Sequence, residues 1–309
     1  MRVLVTGGAG FIGSHIAELC LERGHEVAVI DNLRTGKVAN VPAGARFIEG
    51  DIRDRAAVQR AFAEAKPEWV FHQAAQAALR PSVIDPWEDL SINLVGSVNL
   101  IYEAVETGVQ KFVYASSGGA TCGPFAPVPT REEHPVQPNS PYGITKHSVE
   151  HYLDFYNRNF GLPTMAMRYA NVYGPRQDSE GEAGVVAIFT RSVLSGEQPT
   201  IFGDGSQRRD YVYVKDVARA NYLSAESAYS GILNVSTGVE TSVLEVLAAI
   251  QAAAGTSIEP LYGEERVGDI ARYALSSDLA AEKIGWRAAV PFREGIAETV
   301  AWTKEHYGL

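Results

Sequence analysis

The segment SPYGITK places Tyr142 and Lys146 four residues apart at the start of an expected helix, roughly 143–160, so both side chains fall on one face. A phenol with an ordinary pKa of about 10 is a poor base at neutral pH. An ammonium one turn away favours the phenolate, and such a pair can deprotonate an alcohol while hydride leaves its carbon. Spacing alone is unselective: 14 tyrosines and seven lysines in 309 positions give about 0.3 such pairs by chance. Tyr211 and Lys215 also match. They lie in a period-2 stretch, where four residues span roughly 13 Å, too far for mutual tuning. HSVEH (147–151) fits a zinc-protease spacing, but at about 100° per residue its histidines point away from Tyr142. We read that face as solvent or subunit contact, with no metal site.

Residues 6–13, TGGAGFIG, put Gly7, Gly10 and Gly13 directly after a strand-like MRVLVT and before a helix-like stretch. Glycines there allow a tight turn and close approach of backbone to a pyrophosphate, and the helix N-terminus offers N–H groups to it. The pattern predicts a dinucleotide site. Asp31 ends the next strand, 18 residues after Gly13. A carboxylate there accepts from ribose hydroxyls and repels a 2′-phosphate, which selects NAD over NADP. A helix cap is its other reading, and nearby Arg34 keeps NADP open. Asp51 and Ile52, after the third strand, are placed for the adenine edge, although Asp51 could equally cap the following helix. An oxidised nicotinamide ring would add positive charge beside Tyr142.

Several elements must hold these groups. Apolar strands at 3–5, 26–30, 46–48, 68–71 and 111–114 alternate with helix-like stretches near 12–23, 54–65 and 88–107, and a strand at 165–167 continues the pattern. This is the signature of a doubly wound parallel α/β sheet, a Rossmann fold. Beyond 168 the rhythm weakens into loops such as YGPRQ, EGEAG and FGDGSQ, then resumes with YVYV (211–214), a helix near 215–227 and ILNVS (232–236). We expect a dinucleotide-binding domain over 1–168, a return segment near 211–238, and a smaller α/β substrate lobe over 169–309.

A length of 309 residues suits about two domains. Composition is that of a soluble globular protein, 46% apolar and 21% charged. The net charge of −10 disfavours nucleic acid and anionic membranes. An anionic ligand then needs a local cluster of cations. Two cysteines, Cys20 and Cys122, make no disulfide framework. With no apolar run of about 18 residues and no leader-like start, we expect a cytoplasmic protein.

Together, TGGAGFIG, Asp31, Asp51-Ile52, HQAAQ (72–76), SSGGATCG (116–123), SPYGITK and RYANVYGPR (168–176) resemble the extended short-chain dehydrogenase/reductases acting on nucleotide sugars, the NAD-dependent epimerase/dehydratase family. The sequence is most similar to the branch that interconverts UDP-glucose and UDP-galactose at C4, and the likeness covers essentially the whole chain. The resemblance implies that Tyr142 accepts and returns the proton while Lys146 holds the nicotinamide ribose. Around NAD it places Gly7, Gly10, Phe11, Ile12, Gly13, Asp31, Asn32, Asp51, Ile52, Ala74, Gln76, Asn93, Ser116 and Tyr169. For the substrate it implies Asn171 at the diphosphate or sugar and Phe202 beside uracil. Arg209, Arg266 and Asp269 would grip diphosphate and ribose.

Relatives carry a third serine or threonine, hydrogen-bonded to the sugar. Counted from Gly123 that position is Gly118; counted from Tyr142 it is Ser117, to which we assign the role. Cys122 replaces the usual tyrosine and reads as a packing substitution. Dehydratases bear an Asp-Glu pair after the Ser/Thr and decarboxylases a Glu, whereas this chain has Gly-Gly-Ala, which favours epimerisation through a 4-keto sugar. Other NAD-dependent sugar-nucleotide reactions, including epimerisation of N-acetylhexosamine or uronate forms, are the alternative. A non-catalytic NAD-binding scaffold would have lost Tyr142 or Lys146. Tyr273 aligns with a gate whose bulk limits N-acetyl groups. By analogy a homodimer forms through helices near 88–107 and 144–160.

Overall fold

The computed structural model describes residues 1–123, 126–179, 184–265 and 271–309. Its first half contains β1 (Arg2–Thr6), β2 (Glu26–Asp31), β3 (Arg46–Glu49), β4 (Trp69–His72), β5 (Lys111–Ser117) and β6 (Thr164–Tyr169). Between them run α1 (Phe11–Glu22), α2 (Arg55–Ala65), α3 (Leu79–Ile84), α4 (Pro86–Asp89), α5 (Ser97–Glu106), α6 (Gly118–Cys122) and α7 (Pro141–Phe160). The second half adds β7 (Asn171–Tyr173), β8 (Thr200–Phe202), β9 (Arg208–Tyr213), β10 (Gly231–Val235), β11 (Glu240–Ser242), β12 (Leu261–Gly263) and β13 (Arg272–Tyr273). Its helices are α8 (Val185–Leu194), α9 (Val214–Glu226), α10 (Val243–Ala254), α11 (Asp278–Ile284) and α12 (Phe292–Tyr307).

A seven-stranded, wholly parallel sheet in the order β10-β6-β5-β4-β1-β2-β3 forms the doubly wound core. Strand alternation explains why helices must cover both faces. Val3, Val5, Val27, Val29, Phe71 and Val113 pack on one side with α1 and α9. Leu4, Ala28, Ile30, Val70, Phe112 and Tyr114 pack on the other with α2, α5 and α7. Strand order departs from β1 in both directions, opening a crevice at the carboxyl ends of β1 and β4, where doubly wound sheets take ligands.

A smaller sheet, β11-β9-β13 with β7 also on β9, stands beside a two-stranded β8–β12 ribbon. This lobe has its own core, in which Tyr173, Phe189, Tyr213, Ile250 and Ile296 are buried. Of the segment expected to return to the large sheet, only β10 joins it; β9 belongs to the small sheet. No helix among the described residues is long and apolar enough to cross a membrane.

Two expectations about elements need correcting. The helix expected near 88–107 is interrupted: α4 ends at Asp89 and a π-helical stretch, Leu90–Gly96, precedes α5. There the Ser97 hydroxyl donates to the Asn93 carbonyl at 2.5 Å, and Gly96 makes room for Ile52. Lys215 lies on α9 rather than on a strand, and its ammonium pairs with Glu298 at 2.7 Å, so it does not tune Tyr211.

Candidate active site

The segment before α7 is built to start a helix. The Ser140 side chain accepts from the Gly143 N–H at 3.1 Å, and Pro141 takes the first position, where no N–H is needed. Gly143 packs directly on the Ala120 carbonyl, which seats α7 against α6. Tyr142 and Lys146 are therefore both buried on its inner face. Lys146 Nζ donates to the Ala115 carbonyl at 2.7 Å and lies 5.7 Å from the centre of the Tyr142 ring. Burial pushes the Tyr142 phenol up to about 12, with the Ser117 hydrogen bond pulling the other way and the Asp89 charge reinforcing the rise. Burial also lowers Lys146 to about 8, against the pull of Asp89 and Glu150. The chain's own groups thus hold the phenol protonated, and lowering it takes further positive charge in the pocket.

The end of β5 sends its two serines to opposite faces. Ser117 meets Tyr142. Ser116 donates to Glu150 at 2.7 Å, so its hydroxyl is engaged beneath the site. Gly118 has a steric reason to be glycine: a Cβ there would sit 2.5 Å from the Tyr273 hydroxyl oxygen and collide with Leu275. Tyr273 is itself buried over Gly118 and Gly119, and its hydroxyl has no hydrogen-bond partner among the described residues. Cys122 packs in the same core as Tyr169 and Leu275, and burial raises its thiol.

Around the crevice the glycines make close contacts that larger residues would prevent. Gly7 has φ +67°, and a Cβ on it would lie 2.6 Å from the Ala74 nitrogen; one on Gly13 would strike the Gly7 carbonyl. The first turn of α1, at Phe11, Ile12 and Gly13, carries no side-chain cap, since Gly10 precedes it. That leaves backbone N–H groups for an anion. Asp31 accepts from the Ala9 and Leu33 nitrogens at 3.1 and 2.8 Å and caps no helix. Asn32 donates to Asp51 at 2.9 Å, and Arg53 chelates the same carboxylate, holding it down to about 2. Asp54, not Asp51, caps α2. Arg34 pairs with Glu88, which neutralises the cation that favoured a 2′-phosphate. The donor set and the glycine cradle fit NAD.

The remaining residues expected around the cofactor are held by hydrogen bonds within the protein. The Gln76 N–H donates to Asn93 Oδ1 at 2.9 Å, and Asn93 Nδ2 returns a bond of 2.9 Å to the Gln76 carbonyl. The Tyr169 hydroxyl donates toward Asn221 at 2.9 Å. From the small lobe, β9 carries Arg209 beside Tyr273 in register, and β7 carries Asn171 opposite Tyr211. Phe202 lies farther out on β8 and is 38% exposed. Arg266 and Asp269 lie outside the described residues.

Two supporting carboxylates, Glu150 and Asp89, are not among the site residues expected from the sequence. Glu150, the acid of HSVEH, receives Arg168 through two bonds of 2.9 and 2.8 Å, together with Ser116 and His147. His147 and His151 contact each other at 3.1 Å. Among the described residues no three His, Cys, Asp or Glu side chains converge to hold a metal. The second carboxylate, Asp89, accepts from Thr145, Asn93 and Gln76. Its i, i+4 spacing to Asn93 was the one available hint.

Comparison with known proteins identifies the family. Residues 3–236 match the NAD dependent epimerase/dehydratase family. The putative UDP-glucose 4-epimerase of Methanocaldococcus jannaschii is 43% identical over 98% of this chain and 99% of its own. A UDP-glucose 4-epimerase from Thermotoga maritima, solved with UDP-glucose, is 46% identical with a TM-score of 0.97, covering 99% of this chain and 100% of that one. The UDP-glucose 4-epimerase of Thermus thermophilus, solved with NAD, is 48% identical with a TM-score of 0.93 over 98% and 99% of the two chains.

Proposed function

The chain belongs to the NAD dependent epimerase/dehydratase family, and we infer from that membership that it interconverts UDP-glucose and UDP-galactose by inverting C4 of the hexose. The observation that carries this reading is a buried phenol, Tyr142, next to Lys146 and to Ser117 at the carboxyl end of β5. NAD, when bound, supplies the hydride acceptor for C4 and a positive ring beside the phenol. The glycine loop, Asp31 and the Asn32–Asp51 pair hold its adenosine half; Lys146, Tyr169 and the Gln76–Asn93 brace line the other half.

Tyr142 takes the proton of the C4 hydroxyl and later gives one back. Ser117 hydrogen-bonds the same hydroxyl and orients it. Gly118, Gly119 and Ala120 offer no second acid or base, so neither water nor carbon dioxide is removed, and the 4-keto sugar turns over in the pocket before reduction. Arg209 gives an acidic protein the local cation that a diphosphate needs, assisted by Asn171, Arg266 and Asp269, with Phe202 against uracil. The bulk of Tyr273 favours the plain hexoses over N-acetyl sugars. UDP-galactose given to the purified protein without added NAD is expected to yield UDP-glucose, with slower turnover of UDP-N-acetylglucosamine. Tyr142→Phe should fold and keep its NAD while losing at least about 10²-fold in kcat. Full activity in that variant, or no hexose interconversion by the wild type, refutes the assignment.

The second proposal is a homodimer. An apolar face runs over α3, α4, the π-helical stretch and α7, where Ile84, Trp87, Val95, Ile144 and Phe155 are exposed, Trp87 by 78%. These elements are packed side by side and leave an apolar patch for a second copy. Sedimentation equilibrium should return twice 33.4 kDa, and Trp87→Glu should shift the mass to that of one chain. A monomeric wild type refutes it.

A further inference from the structure

Asp89 has no exposed surface and is held by neutral amide and hydroxyl donors. A carboxylate held that way is expensive, because burial removes hydration that hydrogen bonds only partly replace. It sits at the end of α4, where the chain enters the π-helical stretch, a kind of irregularity found often at functional sites. One oxygen accepts from Asn93 Nδ2 at 2.9 Å and Gln76 Nε2 at 3.1 Å; the other accepts from the Thr145 hydroxyl at 2.7 Å. Thr145 lies on α7 between Tyr142 and Lys146. The three donors therefore tie the turn bearing the reactive pair to the loop that follows β4.

The groups facing this carboxylate are few. From α7 come Tyr142 and Lys146, and from β5 comes the buried Tyr114. Behind Lys146, β4 presents His72, clamped between Thr6 and Ser97 and kept neutral by burial. Lys146 feels two carboxylates, Asp89 and Glu150, but Glu150 is already committed to Arg168. Asp89 is the counter-charge left for Lys146. An epimerase uses one group as base and then as acid within a single turnover, so cationic pull on the phenol needs an opposing anion.

We propose that Asp89 is a positioning residue of the reaction: it pins the Tyr142–Lys146 turn to the cofactor loop, and its charge keeps the phenol able to return the proton it takes. This rests on Tyr142 being the acid–base group. In the NAD-loaded enzyme, Asp89→Asn should lower kcat with UDP-galactose about tenfold or more, with KM changed less than about threefold. Both limbs of its kcat–pH profile should move to lower pH, because removing the anion favours both the phenolate and the neutral amine. Asp89→Glu should return the limbs toward the wild-type positions. Thr145→Val removes one tether and leaves the charge, so kcat should fall with the limbs in place, and this variant carries the test if Asp89→Asn does not fold. Wild-type limbs in Asp89→Asn overturn the charge role; wild-type kcat in Thr145→Val overturns the pinning role. Full turnover by Tyr142→Phe would instead fault the identity of the base, separating the two failures.

Discussion

Gly118→Ser tests how the two lobes meet beside Ser117. The new Cβ would lie 2.5 Å from the Tyr273 hydroxyl, about 1 Å inside ordinary contact, and would also press on Leu275. Both neighbours are buried, so neither can swing into solvent. Overpacking of this size costs about 1–3 kcal/mol. A hydrogen bond from the new hydroxyl to the unpartnered Tyr273 oxygen offsets up to about 1 kcal/mol. Because two buried neighbours are struck at once, the upper part of that range applies, about 2–3 kcal/mol, so the net loss of about 1–3 kcal/mol corresponds to a fall in Tm of roughly 2–12 °C. Urea unfolding of Gly118→Ser, Tyr273→Phe and the double variant closes a cycle. Tyr273→Phe alone should be neutral or mildly stabilising, since its hydroxyl makes no bond among the described residues. In the double variant the cost of the serine should shrink by at least about 0.5 kcal/mol. If Gly118→Ser is as stable as wild type, or costs the same with either residue at 273, the steric account of Gly118 is wrong.

The Glu150–Arg168 pair gives two further expectations. Arg168→Leu leaves a buried carboxylate without its partner and should destabilise by about 3–5 kcal/mol in urea unfolding, with part of the loss recovered in Arg168→Leu/Glu150→Leu; equal stability of wild type and single variant refutes this. Glu150 is held from 4.5 down to about 2 in the folded protein, so the unfolded chain binds its proton more readily. The stabilisation, at most about 3 kcal/mol, is present above pH 4.5 and drains away as pH falls toward 2. The stability gap between wild type and Glu150→Gln should therefore close over that range, and a gap independent of pH refutes it.

Much of this was legible because the physics is local. Strands buried on both faces must be apolar throughout, so the Val and Ile runs of β1 and β2 announced a parallel sheet. Gly7, Gly10 and Gly13 stood where a strand turns into a helix, and Tyr142 and Lys146 shared a helical face. What escaped depends on partners far away in the chain. Ser116 gives no sign that its hydroxyl will meet Glu150, nor Glu150 that it will meet Arg168 instead of a metal. Nothing near Gly118 in the chain says that the volume of Tyr273, from the other lobe, keeps that position a glycine. The π-helical interruption came from Ser97 and Gly96, residues equally at home in an unbroken helix.

Strand β10 completes the edge of the large sheet with a segment made only after β7, β8 and β9 have been laid down in the neighbouring lobe. A polypeptide cut at residue 168 would therefore present β6 as a bare, apolar ladder, ready to recruit another chain. Neither half is a free-standing cassette. Joining the small lobe of one relative to the large sheet of another by simple fusion should therefore yield aggregates unless the donor also brings its own closing strand.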